Sequence, residues 1–316
     1  MNTLVWYCER VAGRISTADI SVLTPSYGYG RFIRDTILSS LRQFDVRVEH
    51  IVQDACSSDG TVEILEEFDA LIRWRSEPDL GQSDALNRAL ADATAPWIGW
   101  LNADEFYLPN ALAVLRDIGE RRGADVVYGD AVFVDVEGRL LRLVPQHGPR
   151  HTTLRWFGPY IHSCAVIFRK SCLGERPWDT SLKRTMDWEL YLRLSSQGAR
   201  FVYVPYPAGV FRVHPDRVTA QRIITPESLM PSLQRQRVGS PQLRHFALAR
   251  AGRILHGAQK LMAGSYWRQV RAHALVGDDF RWFQSEMGVE SCNALLARCY
   301  PRAAQFKGQD ASRRWL

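Results

Sequence analysis

Between residues 20 and 141, short β-branched apolar runs alternate with segments whose apolar residues recur at helical spacing. This alternation restricts the fold more than any other feature of the chain. DISVLTPSY reads as a strand running into a loop, and GRFIRDTILSSLRQF places Phe32, Ile33, Ile37, Leu38 and Leu41 on one helical face. VRVEHIVQD is a second strand ending at Asp54, followed by an SSDGT turn and the helix TVEILEEF. LIRWRSEPD is a third strand, and GQSDALNRALADAT a loop and helix with Ser83 as its N-cap candidate. APWIGWLNADE supplies a fourth strand, LPNALAVLRDIGERRG a helix with Pro109 in its first turn, and ADVVYGDAVFVDVEGRLL a strand pair around a turn.

Repeated strand and helix imply parallel β-α-β units with right-handed crossovers, hence an α/β fold whose mostly parallel sheet carries helices on both faces. Ligands on such sheets collect at the carboxyl ends of the strands. Pro25–Tyr27, Asp54, Asp79 and Asn102–Glu105 all stand at such ends and are expected to converge on one edge. After residue 150 the alternation weakens to a loop and strand (PYIHSCAVIFRK), a helix (TMDWELYLRLSSQG) and strand material (ARFVYVPYPAGVFRVH). From about Thr225 the pattern turns helical and basic. A chain of 316 residues accommodates one such domain with an appendage. The expected division is an N-terminal segment 1–19, an α/β domain 20–222 and a helical extension 223–316.

Composition removes several function classes. With 46% apolar and 23% charged residues the chain is globular rather than disordered. Its net charge of +6 is unevenly placed, with Asp and Glu concentrated in 45–110 and Arg after about 230. That asymmetry suits an anionic partner for the C-terminal part, whether nucleotide, phospholipid surface or nucleic acid, or else a solvated basic helical face. Six cysteines without CxxC spacing provide neither a zinc site nor a disulfide framework. The N-terminus lacks a signal-peptide pattern and no run of eighteen apolar residues occurs, so a cytoplasmic location is expected.

GxGxxG after the first strand, GxxxxGK[ST] and GxSxG are all missing, which removes a dinucleotide site, a P-loop and a nucleophile elbow. What remains is a row of carboxylates at one sheet edge. Carboxylates repel an anionic ligand unless a divalent cation stands between them, and hard oxygen ligands favour Mg2+ or Mn2+ held jointly by protein and phosphate. In LNADE, Asp104 and Glu105 fit that chemistry, whereas Asn102 leads the cluster with an uncharged amide.

Four segments in order, TPSYGYGRFIRDTILSSLRQ, VEHIVQDACSSDGTVEIL, GQSDALNRALADATAPWIGWLNADEFYLPNAL and MDWELYLRL, resemble glycosyltransferase family 2, enzymes of the GT-A nucleotide-diphospho-sugar transferase fold. The resemblance covers roughly residues 20–220. It implies that Pro25 and Tyr27 line the base pocket, that Asp54 bonds the nucleotide base, and that Asp84 and Asn87 lie near the diphosphate or ribose. Asn102 is then expected to face the ribose or a metal-bound water, replacing the acid found in the family's fully acidic motif. Asp104 becomes the metal ligand and Asp187 the general base. His214 is expected to ligate the metal or bond the diphosphate, with Arg212 or Arg217 adding positive charge. Implied too are a Mn2+ or Mg2+ cofactor, a UDP, GDP or dTDP sugar donor, a glycan or lipid-linked acceptor, and no nucleic-acid partner. An inverting transfer follows, with peripheral contact at the inner membrane face through the basic extension.

Each assignment has a purely structural alternative. Asp59 reads better as a helix cap, while Asp104 and Glu105 also suit the start of a helix. Asp187 and Glu189, two residues apart on one helix, point to different faces, and Trp188, Leu190 and Leu192 belong to the core. His162 reads as a loop or acceptor-cleft residue. Two other functions stay open: a catalytically weak relative that binds nucleotide sugar as a regulatory or scaffold module, and a nucleotidyltransferase, against which the TPSYGYGR loop argues.

Overall fold

The computed structural model describes residues 17–215 and 242–301. Residues 1–16, Arg217 and the boundary expected at 222 lie outside the described residues. Strands β1 (Ile20–Ser26), β2 (Val48–Asp54), β3 (Arg73–Ser76) and β4 (Trp97–Trp100) alternate with helices α1 (Ile33–Leu41), α2 (Thr61–Glu67) and α3 (Gln82–Asp92). After the two-residue strand β5 (Phe106–Tyr107) come α4 (Ala111–Arg122), β6 (Val126–Val134), β7 (Leu140–Val144) and α5 (His151–Trp156). Then follow β8 (Val166–Arg169), α6 (Lys170–Leu173), α7 (Met186–Ser196) and β9 (Phe201–Arg212). Helices α8 (Gln242–Met262), α9 (Ser265–Ala272) and α10 (Glu286–Cys299) form the C-terminal part.

All strands join one sheet in the order β3-β2-β1-β4-β8-β6-β9-β5, with β7 beside β6. β3, β2, β1 and β4 are parallel, as the alternation requires. The sheet is nevertheless mixed rather than mostly parallel, with four parallel and four antiparallel pairings. The reason lies at its centre. β6 keeps the direction of β4, but β8 lies between them, antiparallel to both through Trp97–Gly99 and Val126–Tyr128.

Both faces of the sheet are covered. β1 sends Ile20 and Val22 into one core, and Leu23 into another that includes residues of α3, α5 and α7. Trp188, Leu190 and Leu192 of α7 are fully or almost fully buried there. Each large side chain so buried contributes about 1.5–3 kcal/mol relative to exposure. The C-terminal helices have no separate core: Leu275, Phe280, Trp282, Leu295 and Tyr300 pack in the same cluster as Ile20, Trp97 and Leu115.

Two helix starts differ from the sequence expectation. Helix α4 begins at Ala111, so Pro109 precedes it, and Asn110 takes a left-handed conformation with φ 58°. Residues 106–109 are tied to β9 instead: Leu108 N donates to the Ala208 carbonyl, and Tyr206 Oη to the Pro109 carbonyl. Helix α3 is preceded by Gly81, whose φ of 106° suits glycine, and not by Ser83. Ser83 lies one residue into the helix, where its hydroxyl contacts Met186 Sδ at 2.8 Å.

Candidate active site

The parallel registers pair Ser26 with Asp54 and Asp54 with Ser76, while Leu23 lies beside Trp100. The ends of β1 to β4 therefore open on one edge, where a cleft of about 730 Å³ is found. Its walls come from Pro25–Tyr29, Pro78–Asp79, Gly81–Gln82 and Asn102–Asp104, with Ala55 and Ala85. Among the expected site residues, Pro25, Tyr27, Asn102 and Asp104 line the cleft. Tyr27 is 70% exposed at its wall.

Asp54, Asp84, Asn87 and Arg212 are buried and are not among the lining residues. The Asp54 carboxylate accepts from Ser57 N, Ser57 Oγ and Ser76 Oγ at 2.9, 2.5 and 2.7 Å. Ser57 Oγ in turn accepts from Gly28 N at 2.8 Å, and Asp59 Oδ2 from Gly30 N at 2.8 Å. These acids therefore hold the Tyr27–Gly30 loop in shape. Asp59 also accepts from Thr61 N and Oγ1 at the start of α2, whose N-cap position is Gly60 and not Asp59. Burial raises the Asp84 pKa, but the Leu80 N–H, Arg88 and Arg176 outweigh it and hold the carboxyl below its ordinary value. Asn87 clamps Trp178, donating Nδ2–H to its carbonyl and accepting from its N–H.

The end of β9 grips the acidic loop. Arg212 donates from Nε to the Asp104 carbonyl at 3.3 Å and from Nη2 to Asp35 Oδ2 at 2.7 Å. His214 Nε2 lies 3.0 Å from Asp104 Oδ2, and both side chains are nearly fully buried. Asp104 and His214, distant in sequence, are thus brought together, while Arg212 supports the loop from beneath. Glu105 turns inward, fully buried, and accepts from Asn102 N at 3.2 Å. No group of three or more His, Cys, Asp or Glu suited to a metal ion occurs among the described residues. The Asp104 carboxylate is a hard donor of the right kind and the His214 imidazole beside it a softer second one, and Mg2+ or Mn2+ sites commonly complete themselves with substrate phosphates.

The orientation of Asn102 follows from its neighbours. Its Oδ1 accepts from Trp100 Nε1 at 2.9 Å and from Gln82 Nε2 at 2.6 Å. An indole N–H only donates, so the amide oxygen must face Trp100 and the Nδ2 donor is left at the other end of the side chain. Trp100 and Gln82, which decide the matter, both lie in quoted motifs, but spacing carries no sign of their contact.

Asp187 stands in the first turn of α7, where its Oδ1 accepts from Trp188 N at 2.7 Å. Burial raises its pKa to about 6, outweighing that hydrogen bond. Asp187 is not among the residues lining the cleft; helix α7 meets α3 through Met186 on Ser83, and Lys183, three residues before α7, donates from Nζ to the Leu80 carbonyl at 2.7 Å, next to the lining residues Gly81 and Gln82. Glu189 is buried and paired with Arg193 at 2.9 Å. His162 packs against Phe133, ring centroids 5.3 Å apart.

The family model "Glycosyl transferase family 2" matches residues 21–175. A PGL/p-HBAD biosynthesis glycosyltransferase of Mycobacterium bovis is 27% identical over 205 residues, 58% of this chain and 73% of its own. Staphylococcus aureus TarS 1–349, solved in complex with UDP-GlcNAc, superposes with a TM-score of 0.57 at 15% identity, covering 91% of this chain and 83% of that one. In another structure of Staphylococcus aureus TarS, 72% of this chain matches 41% of that one, with a TM-score of 0.52. Mannosyltransferase PcManGT from Pyrobaculum calidifontis, solved with GDP-Man and Mn2+, gives 0.54 at 16% identity, covering 96% and 83%. The solved structures share the GT-A fold, and from β1 through α6 the family pattern runs along the strands that build the cleft. Over residues 21–175 the chain belongs to glycosyltransferase family 2.

Proposed function

We propose that this enzyme transfers a sugar, with inversion, from a nucleoside-diphosphate donor to a hydroxyl of a glycan or lipid-linked acceptor in the cytoplasm. The observation that carries the reading is the cleft at the ends of β1 to β4, with Asp104 in its wall and the carboxyl of Asp187 tuned to about 6 on the adjoining α7. A base of that pKa is ionised at neutral pH yet accepts a proton readily. The nucleotide base rests against Tyr27 and Pro25, in a loop kept rigid by Asp54, Ser57 and Asp59. The diphosphate lies towards Asn102 and Asp104, where the Asn102 amide donates a hydrogen bond to an oxygen of the donor.

Asp187 takes the proton of the acceptor hydroxyl as its oxygen bonds to the anomeric carbon. The bond from that carbon to the diphosphate oxygen breaks on the opposite face, and the electron pair leaves with the nucleoside diphosphate. Asp104 and His214 would hold a Mn2+ or Mg2+ ion, which supplies neutralisation of charge on the leaving diphosphate. The Asn102 amide adds no charge to that site, so the protein's share of the metal affinity rests on Asp104 and His214.

Thermal unfolding with UDP, GDP, dTDP and their sugars, with and without Mn2+, tests the reading. A matched donor at about 100 times its Kd stabilises the native state by about 2.7 kcal/mol. If no nucleotide shifts the transition, the proposal fails. Release of pyrophosphate instead of nucleoside diphosphate would identify a nucleotidyltransferase.

A further inference from the structure

Helices α8 and α9 carry an apolar outer face that the transfer reaction does not use. Their inner faces are well anchored. Gly252 fits so closely that a Cβ there would lie 2.6 Å from the Trp156 carbonyl carbon. Gln259 accepts from Thr153 Oγ1 at 2.6 Å, and the His256 ring stacks on Phe157 at 3.7 Å. In α9, Ser265 donates to the Gln146 carbonyl and Arg268 pairs with buried Asp130 at 3.3 Å.

The outer faces are different in kind. Ile254, Leu261 and Met262 recur at helical spacing on α8, Trp267 and Val270 follow on α9, and all five are between 65% and 74% exposed. Of the twelve large apolar side chains exposed among the described residues, seven lie between 254 and 276. Tyr266 joins the two helices, its hydroxyl lying 3.8 Å from the Cβ position of Gly257. From Ser228 to Gly277 the sequence holds eight Arg and Lys residues and neither Asp nor Glu. Arg253 and Arg271 are exposed next to Ile254 and Val270.

We propose that the outer face of α8 and α9 binds the surface of an anionic phospholipid bilayer. The apolar row enters the headgroup and acyl boundary, the indole and phenol rings sit at its level, and the arginines meet lipid phosphates. The contact lies in the plane of the membrane, because among the described residues no helix is long and apolar enough to cross one. Among the described residues the exposed cations beside the apolar row are Arg253 and Arg271, and an acid-free sequence of this length favours an anionic partner over a second copy of the same basic segment. The proposal depends on α8 and α9 alone, so it is separable from donor binding in the cleft.

The test is co-sedimentation of the full chain with phosphatidylglycerol/phosphatidylcholine vesicles and with pure phosphatidylcholine vesicles. Binding is expected to the anionic vesicles and to weaken as salt rises. The double variant Leu261→Glu/Trp267→Glu is expected to bind at least about tenfold more weakly, and Arg253→Gln/Arg271→Gln to lose much of the salt dependence. Both changes lie on exposed side chains, and an unchanged circular-dichroism spectrum and unfolding midpoint would show that the variants are folded. Absence of wild-type binding, or binding untouched by the double glutamate variant, overturns the proposal. So does gel filtration in which that variant turns an oligomer into a monomer, since the face then belongs to a second copy.

Discussion

Asp187→Asn is expected to make the protein more stable at neutral pH while abolishing transfer. The Asp187 carboxyl titrates near 6 in the folded protein against an ordinary 3.8, because burial opposes its charge. Between those two values the folded state keeps a proton that the unfolded chain releases, so stability falls as pH rises through this window. Above about 6 the full penalty remains. Two pH units correspond to about 3 kcal/mol, an upper bound because the residue retains some exposure. A realistic figure is about 1–2 kcal/mol. Asparagine cannot ionise, yet its Oδ1 can still accept from Trp188 N, so the removal of charge is the main change. Urea unfolding of both proteins at pH 7.5 and pH 4 reads the effect: the variant should lead at the higher pH and the gap should close at the lower. Wild-type turnover should rise with pH through about 6 as the base ionises, and the variant should show donor binding without transfer. A variant less stable than wild type at pH 7.5 would refute the burial argument, and near-normal turnover would refute the base assignment.

Two further substitutions probe the site and its support. Asn102→Asp should fold normally, since Trp100 and Gln82 already donate to that position, and should tighten Mn2+ binding to the nucleotide complex by about tenfold through added charge. Calorimetric titration of Mn2+ measures this, and unchanged affinity would count against the acidic loop as the metal site. Asp130→Ala removes the acceptor for Gln146 N, Tyr203 Oη and Tyr300 Oη and leaves Arg268 without its buried partner. It should cost about 3–5 kcal/mol in urea unfolding, and a loss below about 1 kcal/mol would mean the network relaxes freely.

Much of the catalytic half was legible because its signals are local. β1 to β4 are β-branched or aromatic runs with punctuation at both ends, and parallel pairing brings their ends to one edge whatever the loops contain. β5 escaped notice because two residues carry no period, and its pairing with β9 joins Phe106 to Val210, far apart in sequence. The insertion of β8 between β4 and β6 is likewise non-local. At the site, motif order singled out Asp54, Asp84 and Asn87 but carried no sign of the direction in which each points. Asp84 faces Arg176, 92 residues away, and Asn87 faces Trp178. The amide of Asn102 turned on Trp100 and Gln82, a contact that no pattern of single residues encodes.

The segment after α9 has a consequence for how this chain can change. Trp282 Nε1 donates to the Tyr107 carbonyl, Arg42 reaches the Phe283 carbonyl, and Gln284 Nε2 donates to Asp35 Oδ1. Asp35 also holds Arg212, which holds the backbone of Asp104. The tail therefore cannot be exchanged between relatives like a cassette. A lineage that remodels residues 280–284 must adjust helix α1 and the end of β9 at the same time, and the acidic loop inherits whatever compromise results.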